Sequence, residues 1–145
     1  MAEQRSRFVG IYEHGVDEKG RMVLPSRVRG QLGDTGMLGM LDGCLGIWTL
    51  DGFDAVADEL DTRVATGEAP MNAFRTFMAY AAEISPDAQG RIVIPQRLRE
   101  YAGIGGDVVI NGRRDRAEIW DKTAWDASAP QGDVDLAQTV RDLRL

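Results

Sequence analysis

Two short segments carry the side chains best placed for chemistry, Asp17-Glu18-Lys19-Gly20-Arg21 and Asp87-Ala88-Gln89-Gly90-Arg91. A glycine turn between two strands pushes the next side chain out at a sheet edge. Gly20 and Gly90 suit a backbone position of positive φ, and Asp17 and Asp87 can accept from the turn amides. An arginine in that place is a planar fork of five donors, able to grip phosphate or to read a guanine edge. The same residues allow a plainer arrangement, in which each aspartate simply pairs with its own arginine. Lys19 makes the first loop the more basic, since Gln89 stands at the equivalent place. That loop is the preferred anion contact, the alternative being that Lys19 is a solvated surface lysine. Downstream, Arg27 and Arg97 are candidate phosphate contacts. Arg29 and Arg99 fall on the inner side of a short helix, where each is expected to pair with Asp17 or Asp87 and hold the loop.

The remaining candidates point away from catalysis. His14 stands alone and reads as a strand residue. Cys44 sits beside a turn with no base near it. One cysteine and one histidine cannot assemble a zinc site or a disulfide. Trp48, Trp120 and Trp125 recur at related positions, so packing is the default reading, with base stacking the alternative. The acids Asp51, Asp54, Asp58, Glu59 and Asp61 form a solvated helix face. No enzyme activity, cofactor, metal or small-molecule substrate is expected.

The two loops belong to an internal repeat. Residues 17–33 and 87–103 align at an offset of 70, with Asp17/Asp87, Gly20/Gly90, Arg21/Arg91, Val23/Val93, Pro25/Pro95, Arg27/Arg97, Arg29/Arg99 and Gly33/Gly103 identical. Met22/Ile92, Leu24/Ile94 and Val28/Leu98 are apolar exchanges. A fainter echo follows at an offset of 72, where Ile47-Trp48 matches Ile119-Trp120 and Phe53-Asp54 matches Trp125-Asp126. Two repeats are too few for a solenoid. A pseudo-two-fold pair of half-domains around one core is expected, with repeats at 8–66 and 81–127, a connecting helix at 67–80 and a tail at 128–145.

Each half should open with a strand, Val9 to Val16 and Ala82 to Ser85. The loop follows, then a short buried strand, Met22–Leu24 or Ile92–Ile94. Pro25 and Pro95 suit a first helical turn, and Gly33 and Gly103 suit helix ends. Asp42-Gly43 and Asn111-Gly112 favour tight hairpin turns closing each half. A helix through Phe53, Val56, Leu60 and Val64 is expected, with Asp51 as its N-cap and Gly67 as its stop, and a second after Pro70. A shorter helix spans Thr123–Ser128. Beyond Pro130 the chain is polar and reads as loose, with one turn of helix at Leu136, Val140 and Leu143.

The 145-residue chain has a net charge of −6 and a sequence pI near 4.8, which alone argues against nucleic acid. Placement matters more than the sum. Residues 19–29 hold Lys19, Arg21, Arg27 and Arg29 with no acid, and residues 89–99 hold Arg91, Arg97 and Arg99 with none. No apolar run is long enough to span a membrane, and Met1 to Arg7 lacks the apolar run of a signal peptide. A cytoplasmic protein is expected.

Gly90-Arg91-Ile92-Val93-Ile94-Pro95, with Leu98-Arg99 and Gly103-Ile104 behind it, resembles the SpoVT/AbrB-type DNA-binding domain. Two such units in one chain resemble the MraZ family. Phe8-Val9-Gly10, Tyr12 and His14 before Asp17, Met71-Asn72 before Arg75, and Glu118-Ile119-Trp120 agree with it. The resemblance covers about residues 8–126. It implies an α+β, mainly β fold: two tandem pseudo-symmetric SpoVT/AbrB-like half-domains forming a swapped-hairpin split β-barrel with flanking helices. It also implies a transcriptional regulator, commonly a repressor, that binds double-stranded DNA at G-rich direct repeats before the division and cell-wall gene cluster. Nucleoid association and a homo-oligomeric ring are further implications, with DNA contact through Asp17–Arg21 and Asp87–Arg91. Departures are Val9, where many members carry a base, a longer N-terminus with Arg5 and Arg7, and weakly matched stretches after Leu50 and Ala127. The competing class is a protein-interaction module of antitoxin type, marked by a long disordered C-terminal arm.

Overall fold

The computed structural model describes residues 6–145. Arg5 and the rest of the leading segment lie outside the described residues. The elements run β1 (Ile11–Gly15), β2 (Arg21–Val23), α1 (Ser26–Leu32), β3 (Gly36–Met40), β4 (Leu45–Thr49), α2 (Leu50–Ala65), α3 (Met71–Tyr80), β5 (Ala82–Ile84), β6 (Arg91–Val93), α4 (Gln96–Tyr101), β7 (Asp107–Gly112), β8 (Ala117–Asp121) and α5 (Lys122–Leu143).

Six strands form one antiparallel sheet in the order β1-β7-β8-β4-β3-β5, and β2 pairs with β6 in a separate two-stranded ribbon. The sequence repeat explains that order. Exchanging the halves converts β1 to β5, β7 to β3 and β8 to β4, which reverses the sheet onto itself. The pseudo-two-fold axis therefore passes between β4 and β8 and through the ribbon. Each half's hairpin packs beside the opening strand of the other half: β7 against β1, with Tyr12 opposite Ile110, and β3 against β5, with Met37 opposite Glu83. β1 and β5 are edges, so the sheet does not close into a barrel.

The main core lies between this sheet, the ribbon and the two short helices. Met22 and Ile92 point inward from the ribbon, Leu24 and Ile94 follow them, and Val28, Leu32, Leu38, Ile47, Leu98, Val108, Ile110 and Ile119 fill the layer. A second cluster forms where α2 and α3 cover β3 and β4. Phe53 and Phe77 stack at 5.2 Å, and Trp48 meets both edge-on at 5.8 and 6.0 Å. Trp48 is thus core, while Trp120 and Trp125 are half-buried against each other.

Several local expectations are corrected. The Thr49 hydroxyl, not Asp51, caps α2, accepting from the Gly52 amide at 2.9 Å; Asp51 lies in the first turn, where the helix dipole favours an acid. β1 begins at Ile11, because Gly10 turns with φ 97° and Phe8 is left bridging Arg114. The second hairpin does not turn at Asn111-Gly112. β7 runs through both, pairing them with Glu118 and Ala117, and the turn falls at Arg113–Arg116 with Arg114 at φ 69°. Gly112 serves a different purpose: a Cβ there would lie 2.3 Å from the Phe8 backbone, so glycine admits the crossing N-terminal segment. The tail is not loose. α5 continues through Pro130 to Leu143, and the proline's missing donor is tolerated on a helix that buries no residue. No helix among the described residues is long and apolar enough to cross a membrane.

Candidate nucleic-acid interface

Strand periodicity builds the site. In β2 and β6 the middle residues, Met22 and Ile92, are buried, so their neighbours face outward. The register sets Arg21 opposite Val93 and Val23 opposite Arg91. Two arginines and two valines therefore share one exposed face, the arginines on a diagonal of roughly 7–8 Å between Cα atoms.

Each loop is tied by its aspartate. Asp17 Oδ1 accepts from the Lys19 and Arg21 amides at 3.0 and 2.9 Å, and Oδ2 accepts from Arg21 Nε at 2.7 Å. Asp87 accepts from the Gln89 and Arg91 amides and from Arg91 Nε, all at 2.9 Å. The Arg21 amide, aided by its guanidinium, holds the Asp17 carboxyl below the ordinary 3.8. The Arg91 amide and guanidinium do the same for Asp87. Pairing and presentation are compatible here. Nε is spent on the aspartate, yet the side chains of Arg21 and Arg91 remain 51% and 49% exposed. The terminal nitrogens of Arg21 have no partner among the described residues, and Arg91 Nη2 only reaches Gln89 Oε1 at 3.5 Å.

The loops are locked across the halves. The Leu24 amide donates to the Gly90 carbonyl at 2.9 Å, and the Ile94 amide donates to the Gly20 carbonyl at 2.8 Å. Gly20 and Gly90 adopt φ of 83° and 80° and are buried. Arg29 and Arg99 do not pair with Asp17 or Asp87. Arg99 Nε donates to the Ile94 carbonyl at 3.0 Å and Nη1 reaches the Glu18 carbonyl at 3.4 Å, so the second half's arginine holds the first half's loop. Arg29 lies against Gly90, where a Cβ would meet Nη1 at 2.6 Å, and its buried Nε has no partner among the described residues. The aspartates were already taken by Arg21 and Arg91, which is why the expected pairing fails.

The other candidates are dispersed. Lys19 is exposed at the first loop. Arg27 lines a recess with Arg7, Phe8 and Gln31, and Arg97 lies over the Tyr80 ring at 4.8 Å. The reasoning from sequence missed Val23 and Val93, which are exposed beside the arginines; the alternation Arg-Met-Val and Arg-Ile-Val carried that signal. It also missed Glu83 and Ser85, which flank Arg21, Asp87 and Arg91. Cys44 is buried, and burial pushes its thiol up to about 12. Among the described residues no three His, Cys, Asp or Glu side chains could hold a metal ion.

A protein-family model described as "MraZ protein, putative antitoxin-like" matches residues 8–74 and again 77–140. Proteins named transcriptional regulator MraZ resemble the chain over most of its length. The one from Acetivibrio thermocellus is 43% identical over 121 residues, covering 83% of this chain and 85% of the relative. That from Bifidobacterium longum is 37% identical over 145 residues, with 97% and 96% covered. That from Salinispora arenicola is 35% identical over 131 residues, with 90% and 92% covered.

Proposed function

The chain belongs to the MraZ family, and from that premise we propose that it is a DNA-binding transcriptional regulator whose reading face is the β2–β6 ribbon. The observation that carries this is the pairing of Arg21 and Arg91 on one outward face, each held by an aspartate that leaves its outer nitrogens exposed. Arg21 and Arg91 are the base or phosphate contacts, and Lys19 adds charge at the first. Arg27 and Arg97 serve as flanking phosphate contacts. Asp17, Asp87, Gly20, Gly90, Arg29 and Arg99 hold the loops.

The finer reading follows the family resemblance. The protein acts in the cytoplasm on the nucleoid, repressing the division and cell-wall cluster by occupying G-rich direct repeats in its promoter. The repeats at 8–66 and 81–127 interleave, the hairpin of each lying beside the opening strand of the other. Copies assemble into a ring that presents many ribbons to the direct repeats. One ribbon neutralises few phosphates, but linked sites raise avidity by roughly 10²–10⁴-fold when spacing fits. An acidic body is compatible with this, because binding depends on charge at the contacting face. Hydroxyl-radical footprinting over that promoter tests the reading. Protection at regularly spaced repeats is expected; protection without regard to the repeats, or none, would overturn it.

A partner-binding module of antitoxin type is the second reading, supported by the antitoxin-like description of the matching family model. The tail weakens it, because α5 is helical to Leu143 where that class calls for a long disordered arm. Co-purification of a stoichiometric protein partner with no promoter footprint would be its mark.

A further inference from the structure

The two valines of the ribbon face lie outside the buried core clusters. Val23 and Val93 are 41% and 56% exposed, while the core side of the same strands is filled by Met22 and Ile92. Each lies in register with an arginine of the opposite strand, Val93 with Arg21 and Val23 with Arg91. The face is therefore a square of two forks and two branched methyl pairs related by the pseudo-two-fold axis. A two-stranded ribbon fits the major groove, where thymine alone of the four bases presents a C5-methyl group to an apolar side chain.

We propose that Val23 and Val93 are specificity-determining residues that contact thymine C5-methyl groups beside the bases read by Arg21 and Arg91. This rests on the ribbon being the reading face. Valine is short, so the contact requires the ribbon backbone to enter the groove. The only long side chains among the four residues of this face are the two arginines, which would enter the groove beside the bases that the valines touch. The diagonal of roughly 7–8 Å between the arginines spans about two base-pair steps of 3.4 Å, and each valine lies within that span. The methyl is therefore expected within one or two steps of the base that an arginine reads.

The test uses the full-length protein and synthetic duplexes carrying the G-rich direct repeats, in which each thymine in turn is replaced by deoxyuridine. This removes only the methyl, and thymine is the sole C5-methyl source in such DNA. Wild-type protein should lose about fourfold in affinity at one or more of these positions, the worth of one buried methyl. The Val23→Ala/Val93→Ala pair should bind the parent duplex more weakly and lose nothing further at those positions, with non-specific affinity unchanged. Each single variant is measured too, so that a ribbon lost in the pair does not remove the comparison. A wild-type protein indifferent to every deoxyuridine, or valine variants that keep the full penalty, would overturn the proposal while leaving the ribbon as the DNA face. Failure of wild-type protein to prefer the repeats over a scrambled duplex would instead overturn the reading beneath it.

Discussion

Arg99, in the second repeat, closes over Gly20 in the first. Its Nη1 reaches the carbonyl of Glu18 at 3.4 Å, and a Cβ built on Gly20 would lie 3.0 Å from Nε. The first loop is thus held by an arginine 81 positions beyond Glu18, on the helix that follows the other loop. Arg29 occupies the mirror position over Gly90. Each loop therefore combines local ties to its own aspartate with contacts from the other half.

Gly20→Ala should therefore be costly. The new Cβ would lie 2.4 Å from the Ile94 carbonyl oxygen, at a φ of 83°. A loss of about 2 kcal/mol or more is expected, from left-handed strain plus displacement of the partner strand. Gly103→Ala is the control, since its φ is 66° where α4 ends but nothing lies within 4 Å; left-handed strain alone predicts a loss of about 1 kcal/mol. Urea denaturation of both variants compares them, and equal losses would refute the role assigned to the Ile94 contact.

The aspartate ties predict a pH signature. The carboxyls of Asp17 and Asp87 are held below their ordinary value by the amides and guanidiniums of Arg21 and Arg91. A depressed carboxylate contributes stability that is present above the unfolded value of 3.8 and is lost as pH falls through the lower folded value. Asp17→Asn/Asp87→Asn should therefore be less stable than wild type near neutrality. The two should converge below pH 3.8 as the wild-type carboxyls take up protons. Denaturant midpoints measured across pH for both proteins check this, and a difference that persists in acid would contradict it.

The repeat made much of this legible. Gly20 and Gly90 were readable as turns and Met22 and Ile92 as core, because identical spacing in two halves removes coincidence. What could not be read was which half each piece packs against. Arg29 and Arg99 were expected to serve the aspartates of Asp17 and Asp87. Local sequence offers those acids, whereas the folded partners are backbone carbonyls and glycines of the ribbon. Asn111-Gly112 carried a strong turn signal that failed for a similar reason. The glycine answers to Phe8, more than a hundred residues away, and the turn was left to Arg113–Arg116. Pro130 looked like a helix end because propensity weighs the lost donor. On an exposed helix, water can satisfy the freed carbonyl.

Cys44 should be inert in the folded protein. Its thiol is buried and pushed up to about 12, leaving almost no thiolate at pH 8. A disulfide reagent should label it only as fast as the core opens, and rapidly in urea. Fast labelling under native conditions would show that the β3–β4 hairpin opens independently.

The distal part of α5 contributes nothing to the core, for no residue of this helix is buried. Ending the chain after Pro130 should change the unfolding free energy by less than about 0.5 kcal/mol. Chemical denaturation of the truncated protein at low concentration checks this. A larger loss would mean that the helix is covered in solution by another copy.

The most direct test of the ribbon as the DNA face is fluorescence anisotropy of a labelled duplex bearing G-rich direct repeats, against a scrambled duplex, as salt is raised. Wild-type protein should prefer the repeats, with affinity falling steeply in salt. Lys19→Ala should weaken both duplexes alike and lower the salt slope by about one unit per ribbon engaged. Arg21→Ala should abolish the preference while the protein stays folded with the wild-type oligomeric state, its denaturation midpoint falling only slightly for the lost, exposed tie to Asp17. A folded Arg21→Ala protein that keeps full, repeat-selective binding would contradict the account.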